Sequence, residues 1–270
     1  MTKRAKIIAE YLNPLKDDLK DLYQWSFKLD SLLKILSSDE IEELKKIKST
    51  STRFETELVL KRIINKNLND SFKNKNFIEF NKLCNWIVKD WGGIKGGKEL
   101  EKIEEEIKEI DKLPYDRIAS YSKIAAFMNL EDCIIYDSRV AYSLNWIFLS
   151  SNEIKDEFFP IPNGRNSKMM AFDMNVLIHL QLKENYTADD NRLNNKLFIS
   201  NQDKKIFIDK SKAYSQLNLL VKQTHELIWG ENDKDLFKTE MLLFSIADKE
   251  IYKDIIEKVN FSINTLNEKK

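Results

Sequence analysis

The sequence predicts a mainly α-helical protein, because residues that interrupt helices are scarce and apolar residues recur at helical spacing. The 270 residues include only 6 glycines and 4 prolines, and chains so poor in both are usually rich in long helices. Hydrophobic residues make up 42%, which suffices for a sizeable core. We expect a single helical domain with possible lobes, one formed by residues 1–112 with the C-terminal helices 210–270, the other by residues 113–209.

Helical periodicity dominates the first part of the chain. Apolar residues recur at helical spacing among charges from residue 7 to 36. Asp39 is expected to cap the next helix, and Thr52 or Ser51 the one after it, in the cluster "STSTRFETELVL". A further helix over residues 77–88 runs into "DWGGIKGG", a tight loop with the freedom to adopt positive φ.

The second part continues the pattern with shorter interruptions. "KELEKIEEEIKEIDKL" predicts an amphipathic surface helix that Pro114 ends. A helical segment over 115–130 and an apolar link, "CIIY", lead to a helix from Asp137 to about Leu149. After the connector "FFPIPNGRNSK" follow an apolar helix, "MMAFDMNVLIHLQL", a short β-hairpin near 196–208, and three C-terminal helices.

Composition excludes several classes of protein. Lys+Arg and Asp+Glu are 44 each, so positive charge does not coat the surface, although one basic groove remains compatible with this balance. Two cysteines are too few for a disulfide framework or a four-cysteine cluster. Two histidines without a spaced acidic partner predict no metal site. With no secretory leader and no long apolar run, we expect a soluble cytoplasmic protein without a cofactor.

One block of the sequence carries more specific information, "RIASYSKIAAFMNLEDCIIYDSRVAYSLNWI". Its segments "YSKIAA" and "IIYDSRVAYSL", with Lys123 and Asp137 fourteen residues apart, resemble two motifs of the helix-hairpin-helix DNA glycosylases, the endonuclease III-like superfamily. The usual hairpin glycines are missing, and Ala119 and Tyr121 stand there instead. The resemblance implies a helix-hairpin-helix-like centre, with Asp137 as the catalytic carboxylate and Lys123 at the position of the nucleophilic lysine of bifunctional members.

The chemistry expected of Asp137 agrees with that role. Cleavage of an N-glycosidic bond passes through a sugar with oxocarbenium character, which a nearby anion stabilises, or the anion activates the attacking water. The dipole and free amides of a helix N-terminus favour an ionised carboxylate, and the apolar helix behind Asp137 would hold it rigidly. The alternative is that Asp137 only caps its helix, since Asp is among the best N-cap residues.

Lys123 and its neighbours suggest how DNA would be held. A lysine of lowered pKa can attack the anomeric carbon and form a Schiff base; otherwise Lys123 would contact a phosphate. Arg139 could pair with Asp137, reach a phosphate or form a plain surface ion pair, and "PNGRNSK" is either a DNA-contact loop or a solvated one. The predicted DNA-contact residues are Ser120, Tyr121, Ser122, Arg139, Arg165, Asn166 and Lys168, and the predicted base-pocket aromatics are Trp91, Phe127 and Tyr136. The alternative for the residues around Ser120 is ordinary helix capping, and the alternative for most of the aromatic rings is a place in the hydrophobic core.

Together these features predict a DNA glycosylase that flips a modified or damaged base out of double-stranded DNA and hydrolyses its N-glycosidic bond. We expect a monomer, and removal of modified bases from phage DNA is one hypothesis for its role. The alternative is a non-catalytic helical module that binds DNA or a protein.

Overall fold

A computed structural model describes residues 1–27, 29–94, 103–163, 166–182 and 203–260. The described residues are mainly helical, which confirms the predicted fold class. The helices are α1 (Lys3–Leu12), α2 (Leu19–Leu22), α3 (Ser38–Thr50), α4 (Arg53–Lys73), α5 (Phe77–Trp86), α6 (Ile103–Glu106), α7 (Ile118–Met128), α8 (Ser138–Ser151), α9 (Ser167–Ala171), α10 (Met174–Gln181), α11 (Lys210–Trp229), α12 (Phe237–Ile246) and α13 (Glu250–Lys258).

Shorter helical turns connect several of these helices. A π-helical turn, Ile87–Trp91, continues α5, and 3-10 turns cover Asn13–Leu15, Leu32–Lys34, Ile107–Lys112 and Tyr115–Arg117. The predicted surface helix before Pro114 therefore appears, in the described residues, as α6 followed by a 3-10 segment with a kink at Glu109.

The N-terminal region departs from the continuous helical pattern predicted over residues 7–36. Helix α1 ends at Leu12, where Pro14 follows, because proline lacks the N–H that a continuing α-helix requires. After α2 the described backbone is irregular over residues 23–27 and at Leu29. This irregular segment brings Trp25 to the site described below.

Capping side chains fix where α3 and α4 begin. The prediction of Asp39 as a cap is wrong, since Ser37 caps α3 and shares a capping box with Glu40. Thr52 caps α4 and forms a capping box with Glu55, as the sequence predicts. Each box satisfies two backbone N–H groups that a helix start otherwise leaves unpaired.

Helix α8 occupies the centre of the hydrophobic core. Every residue from Val140 to Leu149 is buried, and the helix packs against α1, α10, α12 and α13. A helix that is buried all round is anchored on every side, so its N-terminus is a rigid position. The residue at that N-terminus is Asp137.

β-Structure is minimal among the described residues. Phe158 and Phe207 form an isolated parallel bridge, in which Phe158 N donates to Ile206 O at 2.9 Å and Ile208 N donates to Phe158 O at 2.9 Å. The predicted hairpin near 196–208 lies partly outside the described residues. Its described end pairs with a connector far upstream in the chain.

The apolar segment after the connector is two helices rather than one. Helix α9 ends at Ala171, and Asp173 caps α10 by accepting hydrogen bonds from the N–H groups of Asn175 and Val176. An Asp side chain favours such a cap over a position inside a helix. It therefore starts a new helix in the middle of the apolar run.

Candidate active site

Asp137 lies at the N-terminus of α8, and the capping role predicted for it is confirmed. Its Oδ1 accepts a hydrogen bond from the Arg139 N–H at 2.9 Å. The other oxygen, Oδ2, lies 3.8 Å from Lys123 Nζ. Because the Asp137 side chain keeps 23% of its accessible surface, the carboxylate is not sealed inside the protein.

Hydrogen bonds hold the apolar link between α7 and α8 in place. Tyr136 N–H donates to Ser122 Oγ at 3.0 Å, and the Tyr136 hydroxyl donates to Pro160 O at 2.7 Å. Ile134 N–H donates to Asn218 Oδ1 at 3.0 Å, on α11. These bonds satisfy buried backbone groups outside regular structure, and they fix the residue that follows the link, Asp137.

Lys123 projects from α7 towards Asp137 and is buried, with 5% exposure. Its Nζ donates to Ala119 O at 2.7 Å, one turn back along the helix. Burial lowers the pKa of Lys123, since desolvation disfavours the ammonium, and the carboxylates of Asp137 and Glu240 oppose that effect. A neutral lysine amine is a nucleophile, whereas an ammonium is not.

Gly92 makes room for the Lys123 side chain. A Cβ placed on Gly92 would lie 2.9 Å from Lys123 Cδ and 2.8 Å from Val88 O, both closer than real contacts allow. The next residue, Gly93, has a φ of +64° and open space around it. Of these two glycines in the predicted tight loop, Gly92 is needed for close packing and Gly93 for its positive φ.

A small cavity brings the two predicted catalytic residues together with others. Its volume is about 30 Å³, and it is lined by Tyr23, Trp25, Trp91, Gly92, Lys123, Ile135, Asp137, Glu240 and Phe244. A water molecule requires roughly 10–15 Å³, so the inner cavity can hold one or two. Sites that enclose a small-molecule ligand span roughly 300–1,000 Å³. A nucleotide would therefore need the cavity walls to move.

An outer cleft of about 410 Å³ lies next to this inner cavity. The two share Trp25 and Phe244 in their linings, whose ring centroids are 5.6 Å apart in an edge-on arrangement. These two rings form a wall between the open cleft and Lys123. The charged residues of the outer cleft are the acids Asp21, Asp248 and Glu250 and the bases Arg139 and Lys249.

Asp248 draws three of the predicted DNA-contact residues together. Arg139 Nη2 lies 3.1 Å from Asp248 Oδ2, the Asn166 amide donates to Asp248 Oδ1, and Lys168 Nζ donates to the Asp248 carbonyl at 2.9 Å. Of the alternatives for Arg139, the structure therefore has an ion pair, but with Asp248 rather than Asp137. Because Arg139 and Asp248 line the outer cleft, this cluster begins at one edge of the cleft.

The other predicted DNA-contact residues do not form a phosphate-binding turn. Helix α7 begins at Ile118, directly after a 3-10 turn, so residues 119–122, where a hairpin turn with free backbone amides is expected from the resemblance, are part of a helix. Ser120 is half-buried, whereas Tyr121 and Ser122 are fully buried. Tyr121 accepts a hydrogen bond from Arg117 at 3.0 Å. Arg165 lies outside the described residues.

The predicted base-pocket aromatics have different positions. Trp91 lines the inner cavity, and its indole N–H donates to Glu57 Oε1 at 2.9 Å. Tyr136 and Phe127 are fully buried and line neither the inner cavity nor the outer cleft. Trp25 and Phe244, which were not predicted from the sequence, are partly exposed aromatic residues of the site.

Three buried charged residues in and behind the cavity wall were not predicted from the sequence. Glu57 and Lys61, one turn apart on α4, are 0% and 1% exposed, and Glu240 on α12 is 4% exposed. Charged side chains are almost never fully buried unless paired. Their signal was present as charges inside the apolar runs "FETELVLKRII" and "TEMLLFSIA".

Neither a metal-binding cluster nor a membrane-spanning helix occurs among the described residues. No group of three or more His, Cys, Asp or Glu side chains there is placed to hold a metal ion. No described helix combines the length and apolar character required to cross a bilayer. Both histidines are buried, and His225 contacts Thr239 Oγ1 and the Asp233 carbonyl.

Comparison of the chain with known protein families, known proteins and solved structures finds no significant match.

Proposed function

We propose that this protein is a DNA glycosylase that everts a modified base from double-stranded DNA and breaks its N-glycosidic bond. The observation that carries the proposal is the pairing of a buried lysine with a partly exposed carboxylate, 3.8 Å apart, on one cavity wall. The lysine has a lowered pKa, and the carboxylate is fixed by a helix that is buried from Val140 to Leu149. The resemblance of the two sequence segments to helix-hairpin-helix glycosylases supports the same conclusion.

In this proposal Lys123 is the nucleophile. Its neutral amine attacks the anomeric carbon of the everted nucleotide while the bond to the base breaks, and the electron pair of that bond leaves with the base, which takes up a proton. The Asp137 carboxylate stabilises the positive charge that develops on the sugar. Loss of a second proton from Nζ to the ring oxygen opens the sugar and gives an imine between Lys123 and DNA.

The wall formed by Trp25 and Phe244 has a role in this scheme. An everted base enters through the outer cleft, and the two rings move apart to admit it beside Lys123. Aromatic faces are suitable partners for an unstacked base. Closure of the wall around the nucleotide would exclude bulk water and so strengthen the electrostatic effect of Asp137.

Base release from modified DNA tests the proposal, with Asp137→Asn as the principal variant. Asparagine caps helices about as well as aspartate, so we expect the fold to remain while the rate of base release falls about 10²–10³-fold. The matched control is Asp173→Asn, which changes the cap of α10 in the same way, away from the cavity. Base release that survives in Asp137→Asn would contradict the proposed role of the anion.

Trapping with borohydride separates the lysine mechanism from attack by water. We expect a covalent protein–DNA adduct with the wild-type protein and none with Lys123→Ala. Base release without an adduct would indicate hydrolysis by water. DNA binding without base release, over a broad panel of modified bases, would favour a non-catalytic binding module.

A further inference from the structure

We infer that Glu240 is the proton acceptor for Lys123, and that Lys61 and Glu57 form a buried charged layer that supports it. This inference rests on the proposed function, because it assigns the path of a proton that leaves the lysine amine during imine formation. Glu240 is not part of the sequence motif that identified Lys123 and Asp137. It reaches the same cavity from α12.

The position of Glu240 is unusual for a carboxylate. It is 4% exposed, lines the inner cavity beside Lys123 and Asp137, and its Oε2 has no hydrogen-bond partner within the described part of the chain. Leaving a buried carboxylate oxygen unpaired is costly. A water molecule in the 30 Å³ cavity would connect this oxygen with Lys123 Nζ.

The layer behind Glu240 consists of two charged residues of α4. The Lys61 ammonium is enclosed by the rings of Phe127, Trp91 and Phe237, at 4.4, 5.2 and 5.5 Å from their centroids. Glu57 Oε1 accepts a hydrogen bond from the Trp91 indole N–H at 2.9 Å. The positive charge of Lys61 opposes the rise in the pKa of both Glu57 and Glu240, whereas the charge of Glu57 adds to the rise at Glu240.

These surroundings allow Glu240 to exchange a proton near neutral pH. Burial raises the pKa of Glu240 to about 7, Lys61 and Lys123 oppose the increase, and the negative charges of Asp137 and Glu57 add to it. Tyr23, which lines the same cavity, and Tyr214 on α11 are further titratable groups under its influence. A proton acceptor is most effective when its pKa is close to the working pH.

The proton balance of the reaction needs such a group. Lys123 begins as an amine with two protons and ends as an imine with none, so one proton goes to the departing base and one to the ring oxygen of the sugar. A carboxylate that accepts a proton from Nζ and returns it to the ring oxygen completes the transfer. Glu240 is regenerated, and no further reactant is consumed.

Reductive methylation with formaldehyde and cyanoborohydride tests the inference without DNA, because formaldehyde is small enough for the inner cavity. The rate at Lys123 is followed by mass spectrometry against exposed lysines of the same molecule. Glu240→Gln removes the negative charge that stabilises the Lys123 ammonium, so a purely electrostatic role predicts faster labelling. If Glu240 is a proton acceptor, Lys123 should be labelled at least tenfold more slowly in Glu240→Gln than in wild type. The wild-type labelling rate should decline as the pH falls through about 7, and this decline should be absent in the variant.

Chemical rescue supplies a second variant. In Glu240→Ala, the vacated space admits formate, which carries the same functional group, and we expect formate to restore at least part of the labelling rate. Glu43→Gln, an exposed change on α3, is the matched control. Equal or faster labelling in Glu240→Gln, or no effect of formate on Glu240→Ala, would overturn the inference.

A duplex with one abasic site, trapped with borohydride, then relates the inference to the proposed function. We expect Glu240→Gln to form the adduct about 100-fold more slowly than wild type. If labelling by formaldehyde depends on Glu240 but wild-type protein gives no DNA adduct, the proton acceptor is supported and the lysine mechanism on DNA is not. An adduct that forms equally fast in both proteins would refute the role of Glu240.

Discussion

At the scale of single residues, Lys123 lies in surroundings that favour its neutral form. Its aliphatic stem passes over Gly92, and its amine faces a cavity with room for no more than a few water molecules. The loss of hydration lowers the pKa of Lys123, and this effect exceeds the attraction of Asp137 and Glu240. A lowered pKa is what the proposed attack by the Lys123 amine requires, and Asp137 remains partly exposed beside it.

Gly92→Ala is expected to damage the site through a single methyl group. The new Cβ would meet Lys123 Cδ and two backbone carbonyls at 2.8–2.9 Å, so the lysine must move, at a cost of about 1–3 kcal/mol in stability. Adduct formation on abasic DNA should fall at least tenfold.

Gly93→Ala is the control for this change. It should reduce stability by about 1–2 kcal/mol because of the positive φ of Gly93, and adduct formation should persist. An active Gly92→Ala protein would contradict this account of the glycine.

The buried glutamates predict how stability depends on pH. Burial raises the pKa of Glu240, and that of Glu57, from 4.5 in the unfolded chain to about 7. Such a carboxyl group contributes its full stabilisation at pH values below its pKa in the unfolded chain. This contribution is lost as the pH rises through the folded-state pKa of about 7.

Glu240→Gln isolates this effect, because its amide resembles the neutral carboxyl group. We expect the free energy of unfolding of Glu240→Gln, relative to wild type, to increase by about 1–3 kcal/mol between pH 5 and pH 8. Denaturant unfolding at several pH values measures the difference. A difference that stays constant over this range would contradict a titrating Glu240.

At the scale of secondary-structure elements, helix ends and one irregular segment build the site. Helix α8 presents Asp137 at its N-terminus, α7 contributes Lys123, and α12 contributes Glu240 and Phe244, which are four residues apart and so share a helix face. The irregular chain after α2 adds Trp25, whose indole N–H donates to Trp91 O at 3.0 Å. The wall of the inner cavity is thus made by elements distant in sequence.

Trp25→Ala is expected to open that wall. Loss of the ring would join the outer cleft with the inner cavity, so formaldehyde should methylate Lys123 several-fold faster in this variant. Phe27→Ala is a matched control in the same segment, since Phe27 packs on Trp86 and lines neither cavity. Equal labelling rates in Trp25→Ala and wild type would show that the ring does not limit access to Lys123.

At the scale of the whole molecule, positive and negative charges balance, so DNA binding would depend on where charged residues cluster locally. The formal net charge is zero, and the outer cleft has three acidic and two basic residues. DNA phosphates would make their most favourable contacts at the edge where Arg139, Asn166 and Lys168 meet Asp248. Phosphates approaching this edge compete with Asp248 for the same cations.

The proposed DNA binding should therefore be weak and dependent on salt. With three cations at or beside the cleft, Arg139, Lys249 and Lys168, a plot of log Kd against log salt concentration should have a slope of about 3, because each neutralised phosphate releases close to one counterion. Fluorescence anisotropy between 50 and 200 mM salt measures it. Lys168→Gln should reduce the slope by about one, whereas Lys45→Gln, on α3, should leave it unchanged. A salt-independent Kd would contradict phosphate contacts at this edge.

The sequence by itself determined the local features of this protein. Helical periodicity and the scarcity of Gly and Pro fixed the mainly α fold, the Thr52 capping box fixed the start of α4, and the Asp137 cap fixed the start of α8. Each depends on side chains and backbone groups within a few residues of one another, which a sequence pattern records directly. The proximity of Lys123 and Asp137 was also expected, from a motif in which both belong to adjacent helices.

Only the tertiary structure decided what surrounds that pair. Glu57, Lys61, Glu240, Trp25 and Phe244 come from α4, α12 and the irregular segment after α2, and their spacing in the chain carries no sign that they meet. For the same reason the sequence could not show that Tyr121, Ser122, Tyr136 and Phe127 are buried structural residues. Burial, and the pKa of a buried group, are set by packing between helices distant in sequence, because desolvation depends on every element that covers a side chain.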